Sequence, residues 1–237
     1  MVVMAIITPM TLADGREACF AEDQSILTAL LLSNADGYAA VFMPEFARIR
    51  TSHPKSHPVW RSSLVTPSAR FTGLSPQGKK VVAFVHQPNY LSEPANLALS
   101  YHRGLVNGAA PVPADIVAAV LREDGKVIDG VRVVSVVDAK TVARKSGRMD
   151  VLSALEDSLI VGFTGSRAIA YDYLPRHREF SGRQIGTWCS DDSVNTGRLL
   201  FLGLSDLNGF DGGSDLDNYG RLLGVRPLKG AAGEKCI

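Results

Sequence analysis

The sequence predicts an α/β or α+β fold: a single domain with a mixed central sheet and flanking helices. Strand-like and helix-like segments alternate in the middle of the chain, and both ends are richer in strand-like runs. The composition, 46% hydrophobic and 21% charged, is typical of a globular protein, and 237 residues suffice for one large core. We therefore expect one globular domain over residues 1–228 and a flexible C-terminal tail at 229–237.

In the first third of the chain, apolar periodicity and prolines indicate the elements. Residues 2–7 form a β-branched run before a proline, which predicts a strand. Residues 22–33 place apolar side chains on one helical face. Residues 43–75 carry four prolines between short strand-like runs. Because proline removes a donor from the sheet ladder, we predict a β-rich excursion of edge strands and loops near residues 43–75.

The rest of the chain supplies most of the predicted core. Together with residues 2–7, three later runs are apolar enough for strands buried on both faces: residues 79–86, 127–137 and 159–163. Helices are predicted where proline or a capping residue precedes an apolar face: after Ser92, after Pro113, after Asp150 and over residues 166–178. Closing strands are predicted at residues 183–188, 198–204 and 220–225.

Charge and cysteine content exclude several classes of function. The 25 basic and 24 acidic residues nearly cancel, so no global basic field predicts a nucleic-acid partner. The three cysteines are widely spaced and odd in number, which indicates a reducing compartment rather than a disulfide framework. The apolar N-terminal run is too short to span a bilayer. We expect a cytoplasmic protein with no membrane partner.

Two histidines and a pair of aspartates are the catalytic candidates. His86 ends the strand predicted at residues 79–86, and His102 lies on the following helix. Strand ends in α/β sheets often face a ligand crevice, and histidine titrates near neutral pH. Asp191 and Asp192 supply a carboxylate pair for acid–base work. The alternative for the histidines is a side chain satisfied by a nearby backbone carbonyl, and for the aspartates an ordinary turn.

A second group of oxygen-bearing side chains approximates a cation loop. Asp206, Asn208, Asp211 and Asp215 are spaced roughly as in a calcium loop, although Phe210 stands where a ligand is required. The cofactor is therefore unknown, with a divalent cation, Ca²⁺ or Mg²⁺, as the candidate. The alternative is a solvated turn cluster without metal.

Two further motifs have weaker chemical implications. Residues 159–166 form an apolar run that enters a Gly/Thr/Ser turn before a helix, an order that can cradle a phosphate with help from Arg167. The alternative is an ordinary turn with Ser166 as N-cap. Cys189 has acidic neighbours, which favours an inert, packed thiol over a nucleophile.

The end of the chain resembles a known class of domain. Trp188-Cys-Ser190, Leu199-Leu-Phe201 and the stretch from Asn218-Tyr-Gly220 to Pro227 are similar to the C-terminal part of C-type-lectin-like and formylglycine-generating-enzyme-like domains. The helix-rich middle of the chain departs from those folds, so no functional residue is transferred from the resemblance.

Two functional hypotheses follow from these residues. The first is a small-molecule enzyme, a hydrolase that uses His/Asp acid–base chemistry on a small polar ligand with or without a divalent cation. The alternative is a non-catalytic ligand-binding or assembly protein that presents Gly/Asp-rich loops. A homo-oligomer fits the second hypothesis, with residues 43–75 as an arm.

Overall fold

A large curled sheet runs through the molecule, and a smaller sheet lies beside it. The structure is a computed structural model, and it describes residues 6–182, 184–203 and 209–227. Within these residues the strands are β1 (Ile6–Thr11), β2 (Glu17–Asp23), β3 (Ala39–Ala40), β4 (Leu64–Leu74), β5 (Lys80–Val85), β6 (Ala110–Pro111), β7 (Val127–Ile128), β8 (Val131–Arg132), β9 (Val134–Asp138), β10 (Gly147–Asp150), β11 (Gln184–Trp188), β12 (Thr196–Leu202), β13 (Phe210–Asp211) and β14 (Gly220–Val225).

Eight helices are present in the same residues, together with a short 3₁₀ turn at Pro58–Trp60. They are α1 (Ile26–Ala35), α2 (Met43–Ser52), α3 (Pro94–Arg103), α4 (Ala114–Arg122), α5 (Ala139–Lys145), α6 (Val151–Ala154), α7 (Ser158–Thr164) and α8 (Arg167–Ser181). None of these helices combines the length and the apolar character needed to span a membrane.

The large sheet is mixed, which confirms the predicted fold class. Its strand order is β10-β11-β13-β12-β4-β5-β9, and β6 also pairs with β12. The β11–β13 pair is parallel, whereas the other pairs are antiparallel. β12 and β4 pair along most of their length, with Arg198 opposite Arg70 in the register. The middle of this sheet therefore holds two arginines side by side.

The smaller sheet joins the beginning of the described chain to its end. Its order is β1-β2-β14-β3, all antiparallel, with β14 between β2 and β3. β14 follows the loop after β13, so its pairing with β2 fixes where that loop ends.

Helices cover both faces of the large sheet, and glycines allow two of them to approach closely. A Cβ added to Gly73 of β4 would lie 2.6 Å from Val117 Cγ1 on α4. On the other face, a Cβ on Gly162 of α7 would lie 2.9 Å from the Phe84 ring of β5. The Phe84 ring also contacts Phe163, at 5.0 Å between ring centroids. These contacts set the helix–sheet distance on each face, because protein cores have no spare volume.

A fully buried arginine ties α2 to the large sheet. Arg50 donates to the carbonyl oxygens of Val59 (3.0 Å), Ser62 (2.6 Å), Leu202 (3.2 Å) and Gly203 (2.9 Å). It also donates to the Tyr173 hydroxyl, and its guanidinium lies over the Phe46 and Trp60 rings. Burial lowers the pKa of Arg50 from its usual value. The guanidinium thus acts as a hydrogen-bonding clamp between α2, the Pro58–Trp60 turn and the end of β12.

Two segments predicted as strands are helices. Residues 159–163 lie in α7, where the Asp157 carboxylate accepts from the Leu159 amide at 2.7 Å and Gly165 ends the helix with φ +66°. Capping at both ends outweighs the β propensity of this short apolar run. Residues 43–52 form α2, and Pro44 does not prevent this helix because it lies in the first turn, where proline is tolerated. In the predicted β-rich excursion, β4 is a strand, but it lies in the middle of the sheet.

The other core predictions have mixed outcomes. Residues 79–86 contain β5, which is buried between β4 and β9 as predicted. Residues 127–137 are not one strand, because Asp129 (φ 49°) and Gly130 (φ 74°) turn the chain between β7 and β8. The strand predicted at residues 2–7 begins at Ile6 in the described chain and forms an edge of the smaller sheet. Residues 2–5 and the predicted tail at 229–237 lie outside the described residues.

The Arg50 clamp predicts a stability effect that can be measured. We expect Arg50→Met to lower the free energy of unfolding by roughly 3 kcal/mol or more, because several buried carbonyls lose their donor. Arg50→Lys should also be destabilising, since an ammonium cannot reproduce the planar fork. Urea unfolding measures both variants. Arg48→Met, at an exposed position of the same helix, is the control and should stay within about 0.5 kcal/mol of the parent. Equal stability of the Arg48 and Arg50 variants would contradict the clamp.

Candidate functional site

Three loops converge beside the middle of the large sheet and form one surface, here called the loop face. They comprise residues 104–109 after α3, residues 188–195 from the end of β11 onward, and residues 211–219 from the end of β13 to the start of β14. The Gly212 amide donates to the Trp188 carbonyl at 2.7 Å, and the Leu216 amide donates to the Gly108 carbonyl at 3.0 Å. Each loop is therefore bonded to another, and the three form one connected surface.

A buried ion pair lies directly beneath the loop face. Arg198 of β12 and Asp192 of the 188–195 loop make a two-pronged contact, Nε to Oδ2 at 2.8 Å and Nη2 to Oδ1 at 3.0 Å. Both residues are buried. A guanidinium presents parallel donors that match the two carboxylate oxygens, so this contact fixes orientation as well as distance.

The remaining donors of Arg198 extend to the other two loops. Nη1 donates to Asp215 Oδ1 at 2.7 Å and to the Ser214 carbonyl at 3.1 Å, and Nη2 donates to the Asn107 carbonyl. Burial disfavours the charged guanidinium, but the hydrogen bonds and charges of Asp192 and Asp215 outweigh it and raise the pKa of Arg198 above its usual value. One side chain thus binds residues of all three loops.

Arg70 of β4 completes the cluster from the neighbouring strand. Its Nη2 donates to Asp192 Oδ2 at 2.6 Å, and its Nε donates to the Gly212 carbonyl. Asp192 is therefore held between two buried guanidinium groups that lie opposite each other in the sheet register. Two adjacent buried cations repel each other, so the shared carboxylate is what makes their proximity tolerable.

The side chains that the loop face exposes to solvent differ from the buried arginine–aspartate cluster beneath them. They do not take part in the buried cluster, except that Asp215 contacts Arg198 from an exposed position. They include aromatic, aliphatic, amide and acidic groups: Val106, Asn107, Trp188, Asp191, Ser193, Val194, Asn195, Asp215, Asp217, Asn218 and Tyr219. The exposed surface is therefore chemically mixed, whereas the Arg70–Asp192–Arg198 cluster that supports it is charged and buried.

The predicted catalytic histidines make no hydrogen bond with Arg70, Asp192 or Arg198 among the bonds of the described residues. His86 is buried, with Nδ1 3.0 Å from Ser68 Oγ and Nε2 2.7 Å from the Gly162 carbonyl oxygen. Burial lowers the pKa of His86 to about 4, although the Gly162 carbonyl partly offsets this. His102 is exposed on α3. The acid–base assignment of these residues stays a prediction, and no finding supports it.

The predicted aspartates have identifiable partners. Asp191 forms an ion pair with Lys80 at 2.6 Å, and Asp192 lies between the two arginines. Asp211 accepts from the Gly213 amide at 2.6 Å, from the Ser214 amide at 3.0 Å and from the Ser214 hydroxyl. The structure thus brings Asp191, Asp192, Asp211 and Asp215 into one region, each with a donor already bound.

The predicted metal loop is only partly covered by the structure. Asp206 and Asn208 lie outside the described residues, so their positions relative to Asp211 and Asp215 stay a prediction. Among the described residues, no group of three or more His, Cys, Asp or Glu side chains is arranged to hold a metal ion. Burial raises the pKa of Cys189 to about 11, which agrees with the inert thiol expected from the sequence.

Sequence reasoning missed Arg70 and the 104–109 loop. The signal for Arg70 was present, because it is a charged residue inside the buried run of β4, just as Arg198 is inside β12. A charge in such a strand is rarely buried without a partner. The Asn107-Gly108 turn carried no chemical motif. Its role follows from the fold, since a Cβ on Gly108 would lie 2.0 Å from Asp215 Oδ1.

The buried histidines predict a dependence of stability on pH. Burial also lowers the pKa of His177 to about 4, from the usual 6.5. The unfolded chain takes up these protons near pH 6.5 and the folded chain only near pH 4, so stability is present above pH 6.5 and is lost as the pH falls. We expect each group to contribute a slope of at most about 1.4 kcal/mol per pH unit.

Urea unfolding between pH 7 and pH 5 measures this slope. His86→Gln should reduce the slope markedly, because the contribution of His86 is removed and only that of His177 remains. His102→Gln, at an exposed position, is the control and should leave the slope unchanged. An unaltered slope in His86→Gln would show that His86 is not buried in its neutral form.

Comparison with known proteins finds a solved structure with a similar fold. No family model matches the chain, and no curated protein matches it. A solved structure is similar, from work on how the C-type lectin fold accommodates massive sequence variation in Nanoarchaeota. The two chains are 33% identical, the match covers 89% of this chain and 98% of the other, and the TM-score is 0.78. At this identity and coverage, the chain belongs to the same family as that protein, a family with the C-type lectin fold.

Proposed function

We propose that this chain is a non-catalytic ligand-binding protein and that the loop face is its binding surface. The proposal rests on one observation: the residues that hold the loops in place are buried, and most of the side chains that the loops expose are not among them. Arg198, Asp192 and Arg70 are buried and bind backbone and carboxylate groups of the loops. Most of the outward side chains contribute nothing to that cluster, so a ligand can contact them without disturbing the support of the loops.

The family relationship also supports a surface whose exposed side chains bind the ligand and whose buried residues hold the loops. The similar protein is described as a C-type lectin fold that accommodates massive sequence variation. A fold can accommodate such variation where the varied side chains are exposed and the supporting contacts are buried. The loop face of this chain has that property.

We propose a carbohydrate as the ligand class, in keeping with a lectin fold. Trp188 and Tyr219 expose aromatic rings, which suit the apolar faces of sugar rings. Asp191, Asp217 and Asn218 place carboxylate and amide groups on the same surface. These groups match sugar hydroxyls, because ionised carboxylates form strong hydrogen bonds with neutral donors.

A combined variant tests this proposal. Ser193→Tyr, Val194→Arg, Asp217→Asn and Asn218→Tyr change four exposed side chains and spare the buried cluster. We expect the unfolding free energy to change by about 0.5 kcal/mol or less per substitution, because exposed positions tolerate change. The parent should bind at least one glycan class on an immobilised glycan array, and the combined variant should lose that binding.

A second combined variant serves as a control. It carries four exposed changes away from the loop face, Arg48→Gln, Lys55→Gln, Arg122→Gln and Lys140→Gln, and it should bind as the parent does. Glycan binding that survives in the loop-face variant would contradict the assignment of the surface. An unfolded loop-face variant would contradict the separation of support and display.

A further inference from the structure

A groove of about 660 Å³ lies between the edge of the large sheet and helices α7 and α8. Its walls come from the β7–β8 hairpin, from β9, and from the turn between α7 and α8. It shares no lining residue with the loop face. The groove therefore calls for an explanation separate from the proposed carbohydrate surface.

One end of the groove is the N-terminus of α8, a helix of 15 residues. Ser166 occupies the N-cap position but makes no capping hydrogen bond with its side chain. By contrast, aspartate side chains cap α5, α6 and α7. The first-turn amides of α8 thus lack the usual side-chain acceptor, and the helix dipole adds partial positive charge there.

The α7–α8 turn holds Arg132 beside this helix end. The Arg132 amide donates to the Gly165 carbonyl at 2.7 Å. Gly165 has φ +66°, and an added Cβ would lie 2.6 Å from Val131 Cγ1, so only glycine fits the turn. The Arg132 side chain is exposed and forms no ion pair with a carboxylate of the described residues.

A buried hydroxyl on the groove wall provides an independent observation. Ser135 of β9 is only 5% exposed, and its Oγ has no hydrogen-bond partner among the described residues. Ser135 lies opposite Phe84 in the sheet register, and Phe84 packs against Gly162 of α7. Its side chain is therefore on the face of the sheet that α7 and the groove occupy. A buried hydroxyl without a partner is costly, and an acceptor bound in the groove would satisfy it.

The other charged residues that line the groove do not oppose an anion strongly. Asp138 is occupied as the cap of α5, where it accepts from the Lys140 amide at 2.9 Å and the Thr141 amide at 3.2 Å. Arg167 lies 3.6 Å from Glu156, but both side chains are well exposed, so this ion pair is weak. Arg132 and Arg167 thus give the groove two guanidinium groups.

We propose that this groove binds a tetrahedral oxyanion, a phosphate or sulfate group, at the N-terminal amides of α8. Arg132 neutralises its charge, and the Ser135 hydroxyl donates a further hydrogen bond. Helix N-terminal amides bind such anions because their N–H groups converge on one point. The anion is either free in solution or carried by a larger molecule such as a sugar phosphate.

Titration of the full-length protein followed by amide NMR tests this site. Inorganic phosphate should shift the amide signals of Arg167, Ala168 and Ile169 in a saturable way, and chloride at equal ionic strength should not. Glucose 6-phosphate, with glucose as its control, distinguishes the two sources of the anion. Tighter binding of the ester than of inorganic phosphate identifies a carried phosphate, and equal or weaker binding identifies the free anion; either result supports the site.

Three variants assign the binding to these residues. Arg132→Gln and Ser135→Ala should each weaken phosphate binding about tenfold, the usual effect of one hydrogen bond to a charged group. Ser135→Ala should leave the melting temperature of the phosphate-free protein unchanged or higher, because it removes an unsatisfied hydroxyl. Arg48→Gln, an equal charge change on α2, should bind phosphate as the parent does. The absence of a saturable shift, or unchanged affinity in Arg132→Gln, would overturn the proposal.

Discussion

The position of Asp192 between two buried arginines is the constraint on which the loop face depends. Arg70 and Arg198 lie opposite each other on adjacent strands, so their charges would repel without the shared carboxylate. Removing ions from water costs as much as their attraction returns, and such a cluster adds little to net stability. Its effect is instead geometric, because the same two side chains bind residues 107, 212, 214 and 215 of the surrounding loops.

This arrangement explains how irregular loops can present a defined surface. Loops lack the repeated backbone bonds of helices and strands, so their shape has to come from other contacts. Here a rigid sheet supplies two guanidinium groups, and the loops supply the acceptors. Most of the exposed side chains of the loops lie outside this cluster, with Asp215 as the exception. Arg50 acts similarly at the other end of β12, where its partners among the described residues are backbone carbonyls and the Tyr173 hydroxyl.

The sequence predicted the elements that local patterns determine and missed those that packing determines. The strand at residues 79–86 was predicted from an apolar, β-branched run, and a closing strand was predicted at residues 220–225. The resemblance to C-type-lectin-like domains was stated on a few residues between Trp188 and Pro227, whereas the similarity to the solved structure extends over 89% of the chain. Residues 159–163 were misassigned because a short apolar run suits either a strand or a buried helix, and Asp157 decides between them. The catalytic and metal-binding roles assigned to the aspartates stay predictions. Arg70 was missed because it is far from Asp192 in sequence, and the register of β4 with β12 places it beside Arg198, which binds Asp192.

The most direct test of this account compares two neighbouring aspartates by urea unfolding. Asp192→Asn leaves two buried guanidinium groups without their shared charge, and we predict a loss of about 3–5 kcal/mol in unfolding free energy. Asp191→Asn removes only an exposed ion pair with Lys80, and we predict a change within about 0.5 kcal/mol. Similar, small effects of both substitutions would contradict the central claim that the buried arginine–aspartate cluster supports the loop face.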